Sequence, residues 1–222
     1  MGTENLGVSL AQIGVLNSTM LLTAILALAF RRVRPQITAY AIQSAALSAI
    51  CFFTANLTKS GHIFVVAFLT FFIKCFMIPL FLGHIAKKTG AEKDHEKFFT
   101  VPTAVIISGL LILFSHYLMS PIAPRLDPIG RESLYVSVAL IFIGLLLMIN
   151  RTLALTQVIG ILSIENGIFL AGIATTRGMP LFIELGIFFD VIVGVVLMGV
   201  LTNKISRTFD SLDTNKLNRL KY

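Results

Sequence analysis

Apolar residues run along this chain in long blocks, broken by short polar stretches. A bilayer-spanning helix needs about 20 mostly apolar residues. Seven blocks meet that length: 9–30, 36–58, 62–86, 101–121, 132–150, 152–174 and 181–203. The runs lack the alternation of an outer-membrane barrel, so strands are a poor alternative. The pattern predicts an all-α integral membrane protein of about seven transmembrane helices. The first residues, Met1 to Asn5, lack the basic region that precedes a secretory signal, so the first block is expected to stay in the membrane.

The polar connections orient the bundle. With the N-terminus outside, the inside connections hold Arg31, Arg32, Arg34, Lys87, Lys88, Lys93, Lys97, Arg151, Lys204, Arg207, Lys216, Arg219 and Lys221. The outside connections hold only Lys59, Arg125, Arg131 and Arg177. Basic residues collect on the cytoplasmic side, so the C-terminus is expected there and the N-terminus outside. The stretch 87–99 reads as a solvated charged loop. Three prolines, Pro121, Pro124 and Pro128, break the chain further on. The expected organisation is a four-helix part (1–121), a proline-containing outside loop (122–131), a three-helix part (132–203) and a cytoplasmic tail (204–222).

Composition closes the alternatives. Of 222 residues, 56% are hydrophobic and 13% charged, with a net charge of +7. Mean hydropathy is +0.88. Soluble domains carry about 25% charged residues, so the bilayer is the solvent that fits, in a multi-pass protein of the cell (inner or plasma) membrane. The basic residues sit between apolar runs with no aromatic platform for bases, which points to the membrane surface and away from nucleic acid. Cys51 and Cys75 lie inside apolar runs without metal-ligand spacing and read as buried thiols. No phosphate loop, zincin motif, nucleophile elbow or haem-ligand pair is present, so the chain is read as non-catalytic.

Four ionisable residues fall inside spans: Lys74, Glu165, Glu184 and Asp190. Each costs on the order of 2.5–3.5 kcal/mol at the centre of an inserted helix, so each needs a partner, water or a function. Glu165 lies near mid-membrane, with Gly160, Ser163 and Gly167 forming a small-residue stripe on its helix and Gln157 two turns earlier. It reads either as a carboxylate that takes and gives a proton or as a neutral acid hydrogen-bonded to Asn166 or another helix. Asp190 sits between Gly186 and Gly194, which clear its face for water or a close helix. Glu184 lies nearer the outer end, off the face of Asp190, and would snorkel or line an access route. Lys74 precedes Pro79 by five residues, and that proline frees a carbonyl. It reads as a proton relay or as half of a static ion pair. His62, His84 and His116 lie at span ends, where histidine is ordinary.

The runs Gln157–Ala171 (QVIGILSIENGIFLA) and Gly178–Gly194 (GMPLFIELGIFFDVIVG) resemble the hydrogenase-4 component E family. Those proteins are membrane subunits of group 4 [NiFe] hydrogenases of the formate hydrogenlyase type. The C-terminal three helices are also similar to the K subunit of complex I and the C subunit of multisubunit antiporters. The four N-terminal helices resemble the family in length and hydropathy. K-type subunits carry one glutamate in each of two adjacent helices, assigned to a lateral proton pathway. Asp190 to Gly194 matches the second, with aspartate for glutamate. Aligning Gly160 and Asn166 with the first places Leu162 at the K-type glutamate, and Glu165 stands almost one turn further on.

The resemblance implies a bundle wedged between antiporter-like membrane subunits of a hydrogenase or complex-I-like assembly. Nickel–iron and iron–sulfur centres would sit only in partner subunits, none in this chain. Electron transfer there would be coupled to proton or sodium translocation through Glu165, Asp190, Glu184 and Lys74. A structural scaffold between antiporter-like subunits and a free-standing small transporter are the alternatives.

Overall fold

The computed structural model describes residues 2–58, 61–89 and 94–176. Among these, the chain forms helices α1 (Gly2–Ala29), α2 (Val33–Thr58) and α3 (Gly61–Thr70), a π-helical segment (Phe71–Met77), and α4 (Ile78–Thr89), α5 (Val101–Met119), α6 (Pro128–Asn150) and α7 (Ala154–Thr176). A single 3₁₀ turn (Ala123–Arg125) lies between α5 and α6. Among the described residues, five helical stretches are long and apolar enough to cross a bilayer: Ala11–Ala29, Val33–Asn56, Val101–Met119, Pro128–Asn150 and Ala154–Thr175. The architecture is the all-α membrane bundle that the apolar blocks predict. The expected third span, 62–86, is a helical run divided among α3, the π-helical segment and α4. The expected seventh span, with Glu184 and Asp190, lies outside the described residues.

The division of the third span has a local cause. Pro79 has no N–H to return to the carbonyl one turn back, so a regular helix would leave that carbonyl unpaired in lipid. Ahead of the proline the turn is widened, and the Ile78 N–H bonds the Ile73 carbonyl five residues back. Elsewhere hydroxyls satisfy themselves on their own helices. Thr19 Oγ1 donates to the Val15 carbonyl (2.8 Å) and Ser137 Oγ to the Leu134 carbonyl (2.7 Å).

The central contact is α6 against α7. A Cβ added at Gly144 or at Gly160 would stand 2.9 Å from the other glycine's carbonyl oxygen, and one at Gly167 would stand 2.8 Å from the Ser137 carbonyl. Lipid tails are as apolar as leucine, so helices associate here by such close backbone packing. The Gly160–Gly167 stripe is therefore the surface that brings α7 onto α6. Ser163, in the same stripe, turns instead to α2, where its Oγ donates to Gln43 Oε1 (3.2 Å). Buried Leu28, Tyr40, Leu147, Ile159 and Leu162 fill one part of the core, and Met20, Leu47, Ile50, Leu140, Ile143 and Leu170 another. The proline-containing connection ends at Asp127, which caps α6 by accepting from the Gly130 N–H (3.1 Å), with Pro128 in the first turn.

The stretch expected to be a solvated loop folds back at Asp94, which is buried. Asp94 Oδ1 accepts from the N–H groups of His95, Thr152 and Leu153 and from Thr152 Oγ1 (2.7–3.2 Å). It thereby supplies acceptors and negative charge at the start of α7 from a distant part of the chain. Arg151 does the converse for α1, donating from Nη2 to the carbonyls of Leu28 (2.5 Å) and Phe30 (2.8 Å). Asn150 holds the same loop through the Phe98 and Phe99 N–H groups and the Phe99 carbonyl. These contacts clamp the α1–α2 turn, residues 94–100 and the α6–α7 turn at one end of the bundle.

The packing generates a paired expectation. Gly167→Val forces α6 from α7 and should destabilise the detergent-solubilised chain by about 1–3 kcal/mol. Gly109→Ala, on α5 with open space around it, should be neutral or stabilise by about 0.5–1 kcal/mol. Thermal unfolding of both variants checks this; equal melting of Gly167→Val and wild type would contradict the close approach.

Candidate functional site

Two of the four intramembrane charges meet. Lys74 Nζ lies 2.8 Å from Glu165 Oε1, and both side chains are almost wholly enclosed, at 2% and 3% exposure. Lys74 projects from the π-helical segment and Glu165 from the middle of α7. A π-helical turn carries more residues than an α-helical one, so it re-aims the side chains it bears and is frequent at functional sites. The irregularity induced ahead of Pro79 is thus the segment that carries the lysine.

Amides and hydroxyls from α2 and α7 surround the pair. Asn166 Oδ1 accepts from Lys74 Nζ at 3.4 Å, and its Nδ2 donates to Ser44 Oγ (3.2 Å) and to Gln43 Oε1 (3.5 Å). Gln43 Oε1 also receives Ser163 Oγ. The Phe169 ring stands 5.8 Å from Lys74 Nζ and adds its negative face to the cation's surroundings. Each group offers the ammonium an acceptor or tightens the residue that does. Opposite charges at 2.8 Å with further hydrogen bonds are the arrangement that offsets desolvation of both ions.

The remaining sequence candidates separate from this site. Glu184 and Asp190 lie outside the described residues. His84 is exposed, and His116 stacks on Tyr135 with centroids 4.2 Å apart. The side chain of His62 is outside the described set. Gln157 Nε2 turns back to the Arg151 carbonyl (3.3 Å). Cys51 and Cys75 are free thiols, Cys51 buried and Cys75 half-buried. Among the described residues no three His, Cys, Asp or Glu side chains gather as a metal ion would need.

Sequence reasoning missed Gln43 and Ser44 as supports of the pair, and Gln36, Tyr40, Asp94 and Arg151 as buried polar groups; it named Asn166 as a partner of Glu165, and Asn166 accepts from Lys74. One signal was available for α2: Gln36, Tyr40, Gln43 and Ser44 recur at helical spacing within an apolar block. Arg151 is buried at the α6–α7 turn. Burial pulls its guanidinium below the ordinary arginine range, while the carboxylates of Asp94 and Glu96 hold it up and Arg31 opposes them.

Hydrogenase-4 component E of Escherichia coli K12 is 25% identical over 202 residues, covering 91% of this chain and 94% of that protein. The same protein of Shigella flexneri aligns with the same identity and coverage. The chain resembles hydrogenase-4 component E along nearly its whole length. An uncharacterized protein of Mycobacterium tuberculosis is also 25% identical, over 203 residues, with 91% of this chain and 92% of that one covered. No family model matches the chain, and no solved structure matches it significantly. The likeness to hydrogenase-4 component E takes in the N-terminal helices, including α2 and the π-helical segment, and is not confined to the C-terminal part whose residues first suggested it.

The buried pair makes a stability test possible. Lys74→Met leaves the Glu165 carboxylate without its counter-charge and should destabilise by about 3–5 kcal/mol. Adding Glu165→Leu to that variant removes the uncompensated charge and should restore most of the loss. A double-mutant cycle by thermal unfolding in detergent measures this, and purely additive losses would argue against the pair.

Proposed function

We propose that this chain is a non-catalytic membrane subunit of a hydrogenase-4-like or complex-I-like assembly. In it the Lys74–Glu165 pair takes part in moving protons, or sodium ions, coupled to electron transfer in partner subunits. The observation that carries this reading is a fully buried ion pair mounted on an irregular helical turn and ringed by amides and hydroxyls. The similarity to hydrogenase-4 component E supports the setting. Antiporter-like membrane subunits would lie beside it in the cell inner membrane, and the nickel–iron and iron–sulfur centres would belong to partners.

The pair works by charge bookkeeping. In the resting state the ammonium and carboxylate sum to zero. A proton delivered to a Glu165 oxygen neutralises the carboxylate and leaves the Lys74 ammonium in a low-dielectric site without its counter-ion. That state is costly, so Lys74 gives up its own proton to the next acceptor along the membrane. Asp190 and Glu184 are the proposed onward carboxylates of this chain. The proton then on Glu165 passes to the neutral amine and the original pair is restored. For sodium, a carboxylate freed from Lys74 would supply the oxygen ligand.

The test is ion movement in sealed vesicles holding the assembled complex. Glu165→Gln and Asp190→Asn keep hydrogen-bonding shape but cannot hold a charge. Each is expected to reduce coupled movement by at least about a hundredfold, with the partners still co-purifying. Normal coupling in both variants would favour a scaffold role instead. Purification of the chain without partners would favour a free-standing transporter.

A further inference from the structure

Buried polar side chains continue from the ion pair toward the clamped end of the bundle. From Glu165 and Lys74 the contacts run to Asn166, then to Gln43 and Ser163. At the far end, Arg151 and Gln36 donate to the same Phe30 carbonyl, and Gln36 Oε1 accepts from Thr156 Oγ1 at 3.0 Å. Gln36 and Gln43 are seven residues apart on α2, as are Thr156 and Ser163 on α7. Seven residues bring a helix back to nearly the same face after about 10 Å of rise. Tyr40 lies between the two groups on that face of α2 and is buried. Gln36, Tyr40, Gln43, Thr156 and Ser163 thus form a seam of polar side chains between α2 and α7, closed off from lipid.

The seam also holds polar atoms that no described residue pairs. Gln43 Nε2, Arg151 Nε and Nη1, and Asp94 Oδ2 are buried with no hydrogen-bond partner among the described residues. Orphaned buried donors and acceptors are costly, and they are the groups around which internal water is held. Three of these four atoms stand at the mouth of the seam and one stands beside the ion pair's own supports. An apolar interface of the kind formed by α6 and α7 would bind these two helices without that cost.

We propose that the α2–α7 seam is the proton access route to Glu165, reached from the end of the bundle where buried Asp94 and Arg151 clamp the α1–α2 and α6–α7 turns. This rests on the reading of Lys74–Glu165 as an ion-exchanging pair and adds where its protons enter. Water bridged between Asp94 and Arg151 takes up a proton at the mouth. The Thr156 and Tyr40 hydroxyls and water on Gln43 Nε2 pass it along, each oxygen accepting one proton and releasing another. Glu165 is the final acceptor, its carboxylate becoming a carboxylic acid. Gln36 and Ser163 are positioning residues that orient these hydroxyls and the Gln43 amide.

The experiment compares Thr156→Val, Thr156→Ser, Tyr40→Phe and Glu165→Gln in the assembled complex, reading proton movement in sealed vesicles. Thr156→Val and Tyr40→Phe each remove one hydroxyl and keep the side-chain volume. Each should slow proton movement by at least about tenfold, and Thr156→Ser, which keeps the hydroxyl, should run near the wild-type rate. Loss of movement in Glu165→Gln with normal rates in Thr156→Val and Tyr40→Phe would overturn the seam while leaving the ion pair's role intact. Normal rates in Glu165→Gln would overturn both. Where Thr156→Val fails to assemble, Tyr40→Phe, which keeps the ring and its packing, decides the matter.

Discussion

A lysine and a glutamate enclosed in a membrane must find each other, and much of this bundle is arranged so that they do. Both side chains are almost wholly enclosed, so neither charge is tolerable alone, and a separation of 2.8 Å requires the third helical run and α7 to be held in register. The glycines fix α7. Gly160 and Gly167 let its backbone approach α6 closely, and the polar supports of Glu165 are thereby set against α2. One helix thus presents a close-packed stripe to one neighbour and a hydrogen-bonding stripe to another.

The two stripes do different physical work. Between α6 and α7 the attraction is dispersion at short range, which asks for small residues and tolerates no added carbon. Between α2 and α7 it is hydrogen bonding, with Gln36–Thr156, Gln43–Ser163 and Ser44–Asn166 joining one helix to the other. Interhelical hydrogen bonds in membranes average only about 0.6 kcal/mol. Their number along α2 is therefore a modest source of stability, and their larger effect is to fix which faces of α2 and α7 meet.

How much of this was legible in the chain depends on how local the cause was. The apolar blocks announced the helices because length and hydropathy are properties of single segments. Lys74 and Glu165 stood out for the same reason: a charge inside such a block is costly wherever the block packs. Pro79 announced a disturbed turn beside Lys74, although not that it would become π-helical. An ion pair was one of the two readings of Lys74, but which acid would partner it was not legible, because the pair joins side chains some ninety positions apart and depends on how α7 rotates against α6. Asp94 was misread for a related reason. In a charged stretch it resembles any solvated acid, and only the return of residues 94–100 to the start of α7 turns it inward.

The placement of the lysine is the strongest physical argument about what the pair does. A static ion pair is best built on regular helices, whose side chains are fixed by complete i to i−4 hydrogen bonding. Glu165 meets that description, deep in α7 with glycines locking its helix to α6. Lys74 does not: it sits where the backbone has left the regular pattern, just ahead of a residue that cannot repair it. The arrangement joins a carboxylate on a regular α-helix to an ammonium on a π-helical turn. Should Glu165 become neutral, Asn166 Oδ1 would still offer Lys74 an acceptor 3.4 Å away. Under the proposed ion-exchange role, a change of charge on Glu165 would be felt first by these same few atoms.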